Sequence, residues 1–272
     1  MPDRIDSEPP EPHELPGRRA FLAGAIALTA AACSSSSTGK GAGSSAAPSS
    51  SAAPGASSST ASETAPVTSA EFVASGRRDK QQVALTFHTN GDRTLAEKLL
   101  ETVEAQHVQI TAFIVGSWLE TNTDFAKRIT DGGHELANHT YSHPTFPKLD
   151  ASAMSAEVTK CRDVIASLSG SGGRWFRPSG TTNGTDDPGP TVRGIAAAAG
   201  YPTILGFDVD PSDYLDPGAT TIVKRTNDTV QPGSIISLHF GHQGTIDALP
   251  AILLDLRRRG LEPVTVGTLL GA

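Results

Sequence analysis

Two histidines that could share one metal ion stand four positions apart in the stretch NHTYSH, residues 138–143. Two imidazole nitrogens reach one cation only if they lie within about 3 to 3.5 Å of each other, because metal–nitrogen bonds are about 2.1 Å long. Four residues of a strand span roughly 13 Å, whereas one helical turn separates them by about 6 Å along its axis. We therefore predict a turn after Asn138 that brings His139 and His143 together. Taken alone, the pair could equally be surface or capping histidines.

Other polar residues that could act on a substrate stand at or near the ends of apolar runs. His88 ends QVALTFH, Arg177 lies in RWFRP and His239 follows GSIISL. Asp208 or Asp210 ends a further run, PTILGFDVD. Ligands of parallel α/β folds bind at the carboxyl ends of the strands. The sequence therefore predicts that these side chains gather at one end of a sheet.

Strand-like and helix-like segments alternate from residue 71 to residue 272. Segments with apolar residues at helical spacing separate the apolar runs, which are typical of buried strands. Strict alternation favours parallel pairing through right-handed crossovers, and seven runs favour a barrel over an open sheet. We predict an α/β fold, a (β/α) barrel of about seven parallel strands. The seven runs cover residues 82–88, 109–116, 134–139, 174–178, 202–210, 233–240 and 263–268.

Five stretches carry a resemblance to a known family. In chain order they are LTFHTNG (85–91), NHTYSH (138–143), FRPSG (176–180), DVDPSDY (208–214) and SLHFG (237–241). Together they resemble the motifs of polysaccharide deacetylases with a NodB-homology domain, carbohydrate esterase family 4. The second and fifth stretches are the most specific. The resemblance implies a distorted (β/α) barrel that hydrolyses the acetamide C–N bond of an N-acetylated sugar polymer with one divalent metal ion, usually zinc.

The resemblance also implies roles for residues of the second, fourth and fifth stretches. His139 and His143 would be metal ligands, and the metal would polarise the amide carbonyl and acidify its bound water. His239 would be the general acid that protonates the departing amine. Asp213 would orient this histidine and keep it charged.

Further residues of these stretches are implied to be catalytic or to contact substrate. Tyr214 stands where the family commonly has tryptophan, and it would line the acetyl pocket together with Leu238. Arg177 would be a catalytic residue, or else would only cap a carboxylate, since its usual family partner is missing. Ser179 and Gly180 replace a Pro-Tyr pair whose backbone amide helps to bind the oxyanion in relatives, so the oxyanion donor is unassigned.

The first stretch departs most from the family, which has two successive aspartates there, a base and a metal ligand. This chain reads FHTNG at 87–91, so both carboxylates are absent. His88 could be the third ligand of a three-histidine zinc site, which leaves no obvious base. Alternatively His88 takes the proton of the metal-bound water, and Asn90, Asp92 or a second water completes the coordination. We favour the first role, because His88 ends a strand and imidazole is a good zinc ligand.

The first 70 residues do not have the composition of a folded domain. Residues 1–32 resemble an export signal of the twin-arginine type, with paired arginines before an uncharged Ala/Leu-rich run that is too short to span a membrane. The alanines before Cys33 resemble a lipobox, which would put a lipid anchor on this cysteine; the alternative is a soluble secreted protein. Residues 33–70 are almost all Ser, Ala, Gly, Pro and Thr and predict a disordered tether, followed by the catalytic domain, 71–272.

Charge and cysteine content narrow the choice of partners. The formal net charge of −7 argues against nucleic acid. Once Cys33 carries a lipid, Cys161 has no partner for an intrachain disulfide. We expect an exported monomer, lipid-anchored to the outer face of the bacterial cell membrane, that binds an acetylated glycan polymer.

The leading hypothesis is metal-dependent deacetylation of a cell-wall polysaccharide, either peptidoglycan or another N-acetylglucosamine polymer. The missing carboxylates of the first stretch motivate an alternative from another class, a catalytically inactive glycan-binding lipoprotein with the same fold. A third possibility is an O-acetyl esterase that uses the same metal.

Overall fold

The structure, a computed structural model, describes residues 68–272. The predicted export signal, Cys33 and most of the predicted tether lie outside these residues. No helix within 68–272 is long and apolar enough to cross a membrane. The strands of this range are β1 (Glu71–Val73), β2 (Gln82–Thr89), β3 (Thr111–Ile114), β4 (Glu135–Asn138), β5 (Thr203–Leu205), β6 (Ile235–His239) and β7 (Glu262–Val264). Its α-helices are α1 (Arg93–Ala105), α2 (Gly116–Thr121), α3 (Asp124–Asp131), α4 (Ala151–Ser169), α5 (Pro190–Ala198), α6 (Ala219–Thr229), α7 (Gln243–Arg258) and α8 (Val266–Leu270).

All strand ladders in this range are parallel, and β2 lies at the centre of the main sheet. The strand order is β4-β3-β2-β6, and β7 pairs with the first three residues of β2. His88 of β2 is paired directly with His239 of β6 and with Phe113 of β3. The register therefore places His88, the predicted third metal ligand, beside His239, the predicted general acid.

Isolated single-residue pairings extend the parallel strand pairing beyond this sheet. Asn138 pairs with Phe176, Phe176 pairs with Ile204 of β5, and Val209 pairs with Ile236 of β6, all in parallel. The predicted α/β barrel of parallel strands is confirmed, with an irregular side between β4 and β6. The seven predicted runs match the strands only in part, because 174–178 forms two isolated pairings, both through Phe176, rather than a ladder.

The last predicted strand, 263–268, is wrong in its second half. β7 ends at Val264, and α8 begins at Val266. The hydroxyl oxygen of Thr265 accepts a hydrogen bond from the backbone N–H of Thr268 and so caps the helix. A short β-branched run does not distinguish a strand from a capped helical turn.

The two faces of β2 separate the hydrophobic core from the site, because successive side chains of a strand point to opposite sides. On one face, apolar side chains pack between the sheet and the helices. Thr86 and His88 lie on the other face, where both contact Arg177. On β6, Ser237 and His239 lie on that same inner face, paired with Thr86 and His88. The apolar residues of the first face are Val83, Leu85 and Phe87.

Candidate active site

The turn after β4 is fixed by hydrogen bonds that satisfy its backbone. The side-chain amide of Asn138 donates to the carbonyl of Val158, and its Oδ1 accepts from the backbone N–H of Thr140. The carboxylate of Glu157 accepts from the backbone N–H groups of Tyr141 and Ser142. Helix α4 therefore holds the turn in place through Val158 and Glu157.

This turn brings the two predicted metal ligands together. The ring centroids of His139 and His143 lie 5.1 Å apart. Thr140 and His143 have φ angles of +72° and +56°, which side-chain-bearing residues seldom adopt. Such strained backbone is concentrated at functional sites, where the surrounding structure holds it in place.

His139 presents one ring nitrogen as a free electron-pair donor. Its Nδ1 lies 2.9 Å from the carbonyl oxygen of Arg177, which can only accept, so Nδ1 carries the proton and Nε2 is left free. Metal-binding histidines are typically oriented in this way. Burial lowers the pKa of His139 well below its usual range and also lowers the pKa of His143. Both imidazoles are therefore neutral, as metal ligands must be.

His239 is held by a buried carboxylate. Oδ1 of Asp213 lies 2.8 Å from Nδ1 of His239. Oδ2 of Asp213 accepts from the backbone N–H of His239 and from the hydroxyl of Thr245 at 2.6 Å. Asp213 has no solvent exposure. This arrangement fixes the ring and directs Nε2 of His239 towards His88.

Arg177 is a fully buried cation that binds backbone carbonyls and neighbouring rings. Its guanidinium donates to the carbonyls of Leu205 and Gly206 and to the hydroxyl of Thr86. The guanidinium carbon lies 3.9 Å from the centre of the Phe113 ring, a cation–π contact. Burial lowers the pKa of Arg177, although a guanidinium stays charged at neutral pH.

His88 fills the space between Arg177, His139 and His239. Its ring stacks on His139 with centroids 3.9 Å apart. Its Nε2 lies 3.1 Å from a donor nitrogen of Arg177, and its Nδ1 lies 2.9 Å from Nε2 of His239. Burial and the neighbouring imidazoles and guanidinium lower the pKa of His88 well below its usual range.

These contacts bear on the two roles predicted for His88. Both of its ring nitrogens are hydrogen-bonded within the protein, so in this arrangement neither offers a free electron pair to a metal ion or to a proton of a water molecule. Within residues 68–272 there is no group of three or more His, Cys, Asp or Glu side chains that could hold a metal. The three-histidine set remains a prediction.

Of the other predicted ligands, Asp92 already caps a helix, whereas the side-chain oxygen of Asn90 has no hydrogen-bond partner within residues 68–272. Oδ1 of Asp92 caps α1 by accepting from the backbone N–H groups of Thr94 and Leu95. Oδ1 of Asn90 is buried without a hydrogen-bond partner in residues 68–272, although Asn90 does not line the cavity beside the histidines. His139 and His143 thus fit two positions of a cation's coordination shell.

A cavity of about 320 Å³ opens over the histidines. Tyr214 lines it, with 47% of its surface exposed and its ring centroid 5.3 Å from that of His239. The prediction for Leu238 is corrected. Leu238 is fully buried in the core between sheet and helices, because it lies on the opposite face of β6 from His239, and Ser237 lines the cavity instead.

The structure also separates the two aspartates at the end of the fourth motif's strand. Asp208 accepts hydrogen bonds from Arg78, from Ser234 and from the backbone N–H of Ile235. It therefore links the segment before β2 to the start of β6. Asp210 lines the cavity, and burial raises the pKa of its carboxyl. Asp210 is therefore the aspartate of the pair that belongs to the site.

The sequence analysis missed four residues that support the site. They are Thr86, Ser237, Thr245 and Phe113. Thr86 and Ser237 stand two positions before His88 and His239, so strand alternation could have placed them on the same face. The contacts of Thr245 and Phe113 depend on how distant segments pack and leave no local signal.

Comparisons with known proteins agree on the family. Residues 75–204 match the family model described as Polysaccharide deacetylase. A Bacillus cereus peptidoglycan-N-acetylglucosamine deacetylase is 30% identical over 200 residues, which cover 72% of this chain and 70% of the relative. The crystal structure of the Bc1960 peptidoglycan N-acetylglucosamine deacetylase matches with a TM-score of 0.68 and 27% identity, covering 75% of this chain and 94% of that one.

Another solved structure is similar to a comparable degree. BA3943 from Bacillus anthracis, named a CE4 family pseudoenzyme, matches with a TM-score of 0.67 and 27% identity over 74% of this chain and 69% of that one. This chain spans between 40% and 70% of the length of the first four curated relatives it matches. The shared barrel and the matches to these relatives show that the chain belongs to the polysaccharide deacetylase family.

Proposed function

We propose that this protein removes acetyl groups from the N-acetylated sugars of a cell-wall polysaccharide, with peptidoglycan or another N-acetylglucosamine polymer as substrate. One observation carries the proposal: the His139–His143 pair and the Asp213–His239 pair line or support the same cavity. Amide hydrolysis requires an activated water and a proton for the departing amine, and these two pairs offer a group for each. The named activities of the relatives support the same reaction class.

A divalent metal, zinc in our proposal, would be held by His139 and His143. When bound, it would polarise the acetamide carbonyl and make a water molecule acidic. Two features suit these residues to bind the metal: both imidazoles are neutral, and the proton of His139 is fixed on Nδ1. Catalytic zinc sites usually have three protein ligands and one open position, so one further ligand besides His139 and His143 is unassigned.

His239 would deliver the proton to the departing amine from Nε2, while Asp213 holds its other nitrogen. Tyr214 would stand beside the acetyl group, since its ring lies at the cavity next to His239. Arg177 contributes a fixed positive charge below the cavity and the hydrogen bond that orients His88.

A second candidate function is glycan binding without turnover. Both carboxylates of the family's first motif are absent, and His88 occupies the space between Arg177 and His239. The structural similarity to BA3943 favours this candidate as well. Such a protein would bind oligosaccharides with an affinity that a chelator leaves unchanged.

The experiment that tests the proposal measures acetate released from chitooligosaccharides and from peptidoglycan, with added zinc or cobalt and after chelation. We expect release that chelation abolishes and that metal restores, together with about one metal ion per chain by elemental analysis, as for a catalytic zinc site. A His139→Ala/His143→Ala variant should contain no metal. Binding of glycan without any release of acetate would instead establish the second candidate.

We also propose that the domain is exported and anchored through a lipid on Cys33, because the sequence before this cysteine resembles an export signal with a lipobox. The full chain produced in a bacterium with a lipoprotein pathway should partition into the detergent phase, and a Cys33→Ala variant should partition into the aqueous phase. A wild-type chain found only in the aqueous phase would contradict the anchor.

A further inference from the structure

The wall of the cavity over the histidines carries a serine hydroxyl that the reaction described so far does not use. Ser237 is 2% exposed and lines the cavity from the inner face of β6, two residues before His239. Its hydroxyl is not hydrogen-bonded to another group within residues 68–272. The hydroxyl of Thr86, the partner of Ser237 on β2, is by contrast bonded to Arg177 and to the carbonyl of Ile236. A buried hydroxyl that faces a cavity without a partner is suited to bind a polar group of a ligand.

A carboxylate stands beside this hydroxyl. Val209 pairs with Ile236 in parallel. The next residues along the two segments, Asp210 and Ser237, are therefore neighbours, and both line the cavity. Oδ1 of Asp210 accepts from the backbone N–H of Ser212 at 2.7 Å, which leaves Oδ2 for a ligand. Together the two side chains offer one donor and one acceptor, the combination that a hydroxyl group of a ligand requires.

The acyl group is the part of the substrate that is directed at this pair. His239 must face the amide nitrogen that it protonates, and the carbonyl oxygen must face the imidazoles of His139 and His143. The sugar belongs to a polymer, so it leaves through the open side of the cavity. The remaining substituent of the carbonyl carbon then points inward, to the part of the cavity bounded by Ser237 and Asp210, which we call the acyl pocket.

An acetyl group would leave both polar partners of the acyl pocket unused, because a methyl group neither donates nor accepts a hydrogen bond. A glycolyl group has the same two carbons and carries a hydroxyl on the second. A site with polar groups placed for a substrate hydroxyl discriminates against the analogue that lacks it, since those groups then stay unpaired. An acyl group that ends in a carboxylate would be repelled by Asp210.

We propose that the acyl pocket selects a hydroxylated acyl group, and that N-glycolyl hexosamines are better substrates of this protein than N-acetyl hexosamines. The inference rests on the proposed function, because it names the acyl group of the same amide hydrolysis. The oxygen of water joins the glycolyl carbonyl carbon, the C–N bond breaks and the nitrogen takes a proton, so glycolate and a free amine form. Ser237 donates a hydrogen bond to the glycolyl hydroxyl, and Asp210 accepts one from it.

The test compares two acyl groups on one glycan. Chitosan oligomers of a single length are fully N-acetylated or fully N-glycolylated, and kcat/KM is measured from the acetate or glycolate released. We expect the glycolyl oligomer to be preferred by about tenfold, equivalent to about 1.4 kcal/mol. The decisive quantity is the change of this ratio in a variant, because the intrinsic reactivity of the two amides cancels there.

Ser237→Ala should lower the glycolyl-to-acetyl ratio by about tenfold, because the donor to the glycolyl hydroxyl is lost. Ser234→Ala is the matched control, since it removes a buried serine hydroxyl just before β6 that bonds Asp208 and does not line the cavity. Asp210→Ala, at an exposed position, should also lower the ratio and serves if Ser237→Ala does not fold. Equal ratios in Ser237→Ala, Asp210→Ala and Ser234→Ala would overturn the inference.

Calorimetric titration of both oligomers into His239→Ala separates this inference from the proposed reaction. If the glycolyl oligomer binds more tightly and the additional Ser237→Ala change removes the difference, the acyl pocket is supported even if no variant releases an acid. Equal binding and equal release for the two oligomers contradict the pocket and leave the reaction intact. Absence of both binding and release contradicts both.

Discussion

Acetate release by a His239→Ala variant is expected to fall by about 10²- to 10⁴-fold, the usual contribution of a general acid or base. The ring of His239 lines the cavity, its Nε2 is directed towards His88, and the carboxylate of Asp213 holds Nδ1 at 2.8 Å. Alanine removes the proton donor and leaves the buried carboxylate facing an empty space. The loss should appear in kcat more than in KM, because proton transfer to the amine occurs only in the transition state.

Asp213→Asn separates orientation from proton transfer. Asparagine keeps the volume and the contact with Thr245, but its amide group can present a donor to Nδ1 of His239 and so favour the wrong tautomer. We expect a large loss of kcat with little change in glycan affinity.

The matched control for His239→Ala is His242→Ala, since the His242 ring lies 5.9 Å from the His239 ring and pairs with the exposed Asp216. A loss in His242→Ala as large as in His239→Ala would contradict the assignment, provided that the melting temperatures agree.

The turn NHTYSH shows what local spacing can predict. The requirement that two imidazoles approach one cation predicted that the strand ends at Asn138, and β4 does end there. The alternation of strands and helices likewise predicted the barrel and placed His88, His139 and His239 at the carboxyl ends of parallel strands. These features follow from periodicity and from the geometry of a few consecutive residues.

Other features depend on contacts between segments that are distant in the chain. The family resemblance implied that Leu238 lines the acetyl pocket, yet it is adjacent to His239 in the strand and so faces the opposite side, and Ser237 is the residue that faces inward. A neighbouring cavity of about 430 Å³ is formed by the segment around Thr181, the chain around Phe146 and the start of α5. Hydrophobic periodicity in the sequence does not predict a cavity that three separate segments form together.

The hydrogen bonds around His88 have a definite direction, which follows from Arg177. An arginine can only donate, so Nε2 of His88 accepts and the single proton of the neutral ring lies on Nδ1. That proton is donated to Nε2 of His239, which leaves the proton of His239 on Nδ1, facing Asp213. A proton on Nε2 of His239 would face the proton of His88. His88 must therefore move, or exchange its proton, before His239 can protonate an amine from Nε2.

A His88→Asp variant is expected to release acetate about 10²-fold faster than the wild type, the magnitude of a well-placed general base. A carboxylate at this position would give the buried guanidinium of Arg177 an anionic partner and would free Nε2 of His239. It would also add a negative charge beside His139, which favours cation binding, so the metal should be held more tightly in a chelator competition.

His88→Asn is the matched control, because it has nearly the same shape as aspartate, also frees Nε2 of His239 and carries no charge. If the missing carboxylate limits the wild-type protein, His88→Asp gains both turnover and metal affinity and His88→Asn gains neither. If both variants lose activity and metal to a similar extent, the imidazole itself is the working group at this position. The three-histidine site would then be the better description, and the hydrogen bond between His88 and His239 would belong only to the metal-free protein.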